Sequence, residues 1–256
     1  MPELEFFQLT DPGCVRQENE DAVGHWPHED GLFFAIADGL GGHAAGEVAS
    51  TLALEITSEE MERAPGNWPL AKRLRRSVQE ANLKIYNKSI AVAELRGMGT
   101  TLTASALVGG ELVAAHVGDC RLFLLRDGEF TQLTKDHTWV WQQVQYGLLS
   151  SEQARTHPKR HVLTRCLGRE LIVGIDVLAM PVQAGDALLQ CSDGVHNLVT
   201  ESEMKTALDG GNAEHGCHRI VALARERGAE DNVSVQVALI RSCPTPAPRP
   251  RWWFMR

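Results

Sequence analysis

The residues of this 256-residue chain with the strongest claim to chemistry are acids placed beside glycine or asparagine. They are Asp38-Gly39, Gly118-Asp119, Asp193-Gly194 and Asp231-Asn232, joined by Asp21 at the head of a short apolar stretch, residues 22–26. Any one of these pairs fits an ordinary turn, because Asp, Asn and Gly are turn residues. Together they fall at the expected ends of strands, and in antiparallel sheets such ends can share one rim. Carboxylates gathered there without partners would repel one another. Hard divalent cations remove that repulsion, since Mg2+ and Mn2+ prefer carboxylate, carbonyl and water oxygens. Structural zinc does not suit this donor set: Cys14, Cys120, Cys166, Cys191, Cys217 and Cys243 lie far apart, with no CxxC pair and no HExxH.

Bulk composition narrows the classes further. A net charge of -8 gives a nucleic-acid backbone nothing to bind, so no nucleic-acid partner is expected. No apolar run approaches the roughly 20 residues that span a bilayer, and 43% hydrophobic content is enough for a full core. With no leader sequence ahead of them, the cysteines read as reduced thiols. The expectation is a cytoplasmic monomer. Alternation of Pro with Thr, Ala and Arg from Pro244 predicts a folded domain over 1–241 and a tail over 242–256 that carries Trp252-Trp253-Phe254.

The elements that must position the acids follow from periodicity. Residues 32–37 read as a buried strand ending in a turn at Asp38-Gly39. Val48, Leu52 and Ile56 recur every four residues and predict a helix, as do Leu70, Leu74, Val78 and Ile85. Alternation over 101–108, 111–117 and 121–126, with glycine turns between, predicts an antiparallel meander. Further strands are expected at 171–177, 187–191 and 233–240, and helices at 201–208 and 215–225. Residues 138–168 have no clear period and read as a functional flap. Hairpins with interposed helices indicate α+β layering rather than a regular parallel sheet.

Six motifs then occur in a fixed order: Gly13-Cys14-Val15-Arg16-Gln17-Glu18-Asn19-Glu20-Asp21, Ala37-Asp38-Gly39-Leu40-Gly41-Gly42-His43, Gly99-Thr100-Thr101, Val117-Gly118-Asp119-Cys120-Arg121, Cys191-Ser192-Asp193-Gly194 and Glu230-Asp231-Asn232. By them the chain resembles the metal-dependent, type 2C (PPM) serine/threonine protein phosphatases over residues 5–241. The resemblance implies a four-layer α-β-β-α sandwich of two antiparallel sheets flanked by helices, with the metal cleft at one rim. It implies two Mg2+ or Mn2+ ions per chain, Asp38 bridging them with the carbonyl of Gly39 on one, and Asp193 and Asp231 on the other. Asp119 matches a position that shares a third, weaker ion with Asp193. Glu20 and Asp21 match acids that orient metal-bound water, with Asn232 nearby. Val195-His196-Asn197 departs from the Leu, small residue and acid often found after the Asp-Gly pair.

The activity so implied is hydrolysis of phosphoserine and phosphothreonine in proteins by in-line attack of activated water, without a phosphoenzyme. Consistently, the chain has neither a Cys-x5-Arg loop nor a P-loop lysine motif. Arg16 is the candidate phosphate clamp, because guanidinium matches phosphate oxygens in two parallel hydrogen bonds. His43 is the candidate general acid. His116 reads as structural, and His137 and His161 as solvated groups flanking the flap. The implied partners are phosphorylated proteins, the products of a serine/threonine kinase. A non-catalytic phosphoprotein-binding regulator of the same fold is the alternative; it requires lost ligands, yet Asp38, Asp193 and Asp231 are all present.

Overall fold

A computed structural model of the chain describes residues 3–28, 30–41 and 44–242. In chain order the elements are β1 (Glu3–Asp11), β2 (Asp21–His28), β3 (Gly31–Leu40), α1 (Ala44–Arg63), α2 (Leu70–Ala91), β4 (Gly99–Thr100), β5 (Leu102–Val108), β6 (Glu111–Val117) and β7 (Arg121–Arg126). There follow β8 (Glu129–Gln132), α3 (Trp139–Gln145), α4 (Ser151–Thr156), β9 (Asp176–Pro181), β10 (Ala187–Cys191), the single turn α5 (Asp193–His196), α6 (Glu201–Leu208), α7 (Ala213–Glu226) and β11 (Val233–Ser242). Two antiparallel sheets form, ordered β1-β11-β10-β7-β8 and β2-β3-β5-β6-β9, with β4 paired to the end of β3.

Strand alternation builds the layers. On β3, Phe33, Ala35 and Ala37 face α1 and α2, where they meet Ala49, Ala53, Leu74, Val78 and Ile85. Leu32 and Phe34 face the other way, into a layer shared with Leu122, Leu124, Leu188 and Ile240 of the second sheet. The second sheet's outer face, with Leu189, Val235 and Val237, is covered by Met204 and Leu208 of α6 and by Cys217 and Ile220 of α7. The result is the expected α-β-β-α sandwich. One step closer to the Asp193 end of β10, the layer between the sheets turns polar. Ser105 bonds Gln190, Gln190 bonds Gln236, and Gln236 bonds Gln8, all within 2.5–2.9 Å. Each of these amides finds a partner, so the polarity is tolerated.

Four expectations are corrected. Asp38-Gly39 is not a turn: β3 continues through it, because Thr100 and Thr101 supply backbone partners. The meander over 101–126 is split, since β5 and β6 lie in one sheet and β7 in the other. Gly118 makes that crossing at φ 111°, and a Cβ there would stand 2.5 Å from Thr101. The strand expected at 171–177 begins only at Asp176, because buried Asn82 of α2 donates to the carbonyls of Glu170 and Leu171 and holds that stretch as a loop. The flap is not without regular structure, for it contains α3 and α4. Strand β1, not expected, pairs with β11 along its whole length. The expected tail falls outside the described residues, apart from Ser242 at the end of β11.

Candidate functional site

Sheet pairing brings the first two acids together. Asp21, at the start of β2, is the register partner of Asp38 near the end of β3. The Asp38 amide donates to Thr101 Oγ1 at 2.9 Å, and its carbonyl accepts from the Thr101 amide and from Thr100 Oγ1. With its backbone fully engaged, Asp38 has only its carboxylate to offer. Gly39 packs against the first turn of α1, where a Cβ would stand 2.2 Å from the Gly46 carbonyl oxygen; Gly46 in turn leaves room for the Glu20 carboxylate. The Glu20 carbonyl accepts from the Gly39 amide and from Ser50 Oγ.

The second sheet supplies Asp193, just past β10, and Asp231, just before β11. Ser192 joins the sheets at this rim: its hydroxyl donates to Asp21 Oδ2 at 2.7 Å while accepting from the Ser234 amide. Asn232 fastens the segment that carries Arg16. Its side chain accepts from the Glu20 amide and donates to the carbonyls of Pro12 and Glu18, with all three bonds between 2.8 and 3.1 Å. Arg16 lies on Asp231 through Nε and Nη2, each 3.2 Å from a carboxylate oxygen. His161 of the flap places Nδ1 3.5 Å from Asp193 Oδ2.

Asp119 sits on the crossing between the sheets. Two of the three residues that depart from the usual pattern, His196 and Asn197, brace this corner: His196 Nε2 donates to the Asp119 carbonyl at 3.0 Å, and Asn197 Nδ2 donates to Asp193 Oδ2 at 3.2 Å. Burial, then the charge of Arg121, lowers His196 to a pKa of about 4, so its ring is neutral and Nε2 carries the proton. Arg121, two residues past Asp119, is clamped by Asp136 through Nε and Nη2, the latter at 2.7 Å.

The electrostatics are those of acids short of positive charge. Burial and then the charges of Asp21, Asp193, Asp119 and Asp231 push Asp38 well above the usual carboxylate range. Asp119 is raised by burial, then by Asp193 and Asp136. Asp21 rises to about 7 through burial, even though serine hydrogen bonds pull against it. Asp193 is the exception: burial acts to raise it, but the hydrogen bond from His161 and the nearby imidazoles bring it below its ordinary value. Among the described residues no three of His, Cys, Asp and Glu converge as a preset ligand group. The fit to a cation rests on the donors, which are oxygens only, and on their repulsion. Arg16 meanwhile supplies positive charge to Asp231, and the His161 ring lies against Asp193.

Asp38, Gly39, Asp119, Asp193, Asp231, Glu20, Asp21, Asn232 and Arg16 thus gather at one rim, whereas His43 lies outside the described residues. His116 is buried as expected, bonded to Thr103 and to the Lys135 carbonyl. His137 is not solvated but buried, accepting from the Gly118 amide at Nδ1, with Nε2 3.2 Å from Asp176. The roles of Ser192, His161, His196 and Asp136 escaped sequence reasoning, because each acts on a residue that only the fold brings near. Two of them carried a signal, Ser192 by its place beside Asp193 and His196 by its departure from the usual pattern.

Comparison with known proteins bears on the family and the fold. The protein phosphatase 2C family profile matches residues 15–225. The serine/threonine protein phosphatase PstP of Mycobacterium tuberculosis is 40% identical over 236 residues; the match covers 92% of this chain but 45% of that protein, so the chain spans about half its length. A serine/threonine phosphatase of Listeria welshimeri is 36% identical, with 88% of this chain and 92% of that one covered. The crystal structure of the PstP catalytic domain in complex with two manganese ions superposes with a TM-score of 0.82 at 37% identity, covering 92% of this chain and 97% of that one.

Proposed function

The chain belongs to the protein phosphatase 2C family, and from that premise we propose that it hydrolyses phosphoserine and phosphothreonine in proteins, with Mg2+ or Mn2+ as cofactor. The observation that carries this reading is the meeting of Asp38, Asp119, Asp193 and Asp231 at one rim, their charges acting on one another. Asp38 and the Gly39 carbonyl would hold one ion, Asp193 and Asp231 a second that Asp38 shares, and Asp119 with Asp193 a weaker third. Two such ions, when bound, supply an acidified water and neutralise charge in an in-line displacement at phosphorus.

The chain's own groups do the rest. Glu20, Asp21 and Asn232 orient the rim, Asp21 through its bond from Ser192 and Asn232 by holding the Arg16 segment. Arg16, half exposed on Asp231, orients the phosphate by two parallel hydrogen bonds. His43 gives the proton to the departing serine or threonine oxygen. The catalytic unit is residues 1–241, acting as a cytoplasmic monomer on the products of a serine/threonine kinase. Among the described residues no helix is long and apolar enough to cross a membrane.

The test is release of phosphate from a phosphothreonine peptide. Turnover should require Mn2+ or Mg2+, cease on chelation and return on adding Mn2+. Full activity in a thoroughly chelated sample overturns the reading.

A further inference from the structure

Beside the rim lies a cavity of about 390 Å3 between the flap and the β3–β4 edge. We propose that this cavity receives an acidic side chain of the phosphoprotein substrate, with Arg169 as the residue that selects it; the proposal rests on the phosphatase reading above.

Two of its walls belong to the rim itself. Leu40 stands two residues past Asp38 on β3, and His161 reaches Asp193 at 3.5 Å. A peptide with its phosphate at the acids therefore has the neighbouring side chains over this cavity. The volume lies at the small end of ligand pockets and suits one or two side chains rather than a cofactor.

Charge decides which side chain. Among the described residues the ionisable groups in the wall are His161, Arg165, Cys166, Arg169 and Glu170, and burial pushes the Cys166 thiol up, which keeps it neutral. Arg165 is committed, its Nη1 2.9 Å from Asp176 Oδ1 and 3.1 Å from His137 Nε2. Arg169 has no hydrogen bond or ion pair among the described residues. Its stem lies over Gly99, where a Cβ would stand 3.2 Å from Arg169 Cγ, and Gly99 is the register partner of Leu40. The guanidinium is therefore tethered to the edge of the cavity nearest Asp38. In a chain of net charge -8, this uncommitted cation marks a place where a carboxylate is attracted and a lysine is not, Glu170 being the only acid among the described residues of the wall. Exposed Val162 offers an apolar lip for the stem of a glutamate.

The experiment compares phosphothreonine peptides that carry Glu, Ala or Lys at the positions flanking the phosphorylated residue, with p-nitrophenyl phosphate as a substrate too small to reach the cavity. Wild-type enzyme should prefer the Glu peptide to the Ala peptide by about tenfold in kcat/KM, the scale of one charge-assisted contact. Arg169→Glu should lose that preference and favour the Lys peptide, while p-nitrophenyl phosphate turnover stays within about twofold of wild type. A purely structural role for Arg169 would not reverse the charge preference. The inference alone is overturned if wild type shows no preference, or if Arg169→Glu keeps it, while p-nitrophenyl phosphate is still hydrolysed. If wild type with Mn2+ hydrolyses neither kind of substrate, the phosphatase reading falls, and this inference with it.

Discussion

At the rim each acid sits on a strand or within two residues of one, and its neighbours are tied across both sheets; along the flap beside it, no residue from 141 to 165 is buried. The first region inherits its geometry from the whole sandwich. The second relies on local signals, such as the Ser150 capping box of α4 and the Thr138 cap of α3, and on attachment at its ends through His137 and Arg165. Damage at the rim should therefore appear in turnover or in global stability. Damage in the flap should appear as local opening, which costs far less free energy than unfolding the domain.

The largest expected effect comes from the rim. Asp38→Asn should lower turnover more than about 100-fold, beyond the 10- to 100-fold typical of a residue that only orients a ligand. The protein should stay folded, with a thermal midpoint in chelator no lower than that of wild type, because a neutral amide replaces a carboxyl facing Asp21, Asp193, Asp119 and Asp231. Near-normal kcat at saturating Mn2+ would remove Asp38 from the site.

A smaller effect is expected beneath the rim, where Asp136 clamps Arg121. Asp136→Asn leaves a largely buried guanidinium without its counter-charge. The expected cost is about 2–3 kcal/mol, below the full penalty for a broken buried pair because both side chains keep some solvent contact. Burial acts to raise Asp136, but Arg121 outweighs it and holds the carboxyl below its ordinary value of 3.8. A carboxylate with a lowered folded pKa stabilises above its unfolded value and loses that contribution as pH falls through the folded one. In urea titrations, the gap between wild type and variant should thus stay constant through neutral pH and close only in acid below 3.8. A gap that closes near pH 6 instead would assign the stabilisation to another group.

The same contrast explains what could be read in advance. Val48, Leu52 and Ile56, or the alternation over 233–240, are local patterns that packing enforces, and they became α1 and β11. The acids were legible because each lies beside Gly or Asn in an ordered series of motifs. What escaped was decided by partners distant in sequence. Asp38-Gly39 looks like a turn until Thr100 pairs with it, and residues 171–175 look like a strand until Asn82 holds their loop. The crossing at Gly118 looks like one more hairpin because which sheet β7 joins depends on β10, more than 60 residues later.

The smallest expected effect separates the two regions most cleanly, because both contain the same device. Ser150 caps α4 by accepting from the Gln153 amide while Gln153 Oε1 accepts from the Ser150 amide; Thr200 and Glu203 do the same for α6. Removing either cap should cost its helix about 1 kcal/mol. Helix α6 buries Met204, Ala207 and Leu208 in the second core, so it unfolds with the domain, and Thr200→Ala should lower global stability by that amount. Helix α4 buries nothing, so the loss in Ser150→Ala should appear only as faster amide exchange over Ser151–Thr156, by about fivefold for 1 kcal/mol. Urea midpoints and native-state hydrogen exchange on both variants measure the difference. If Ser150→Ala lowers the urea midpoint as much as Thr200→Ala does, the flap unfolds with the sandwich, and its exposed side chains are held by contacts as cooperative as those at the rim.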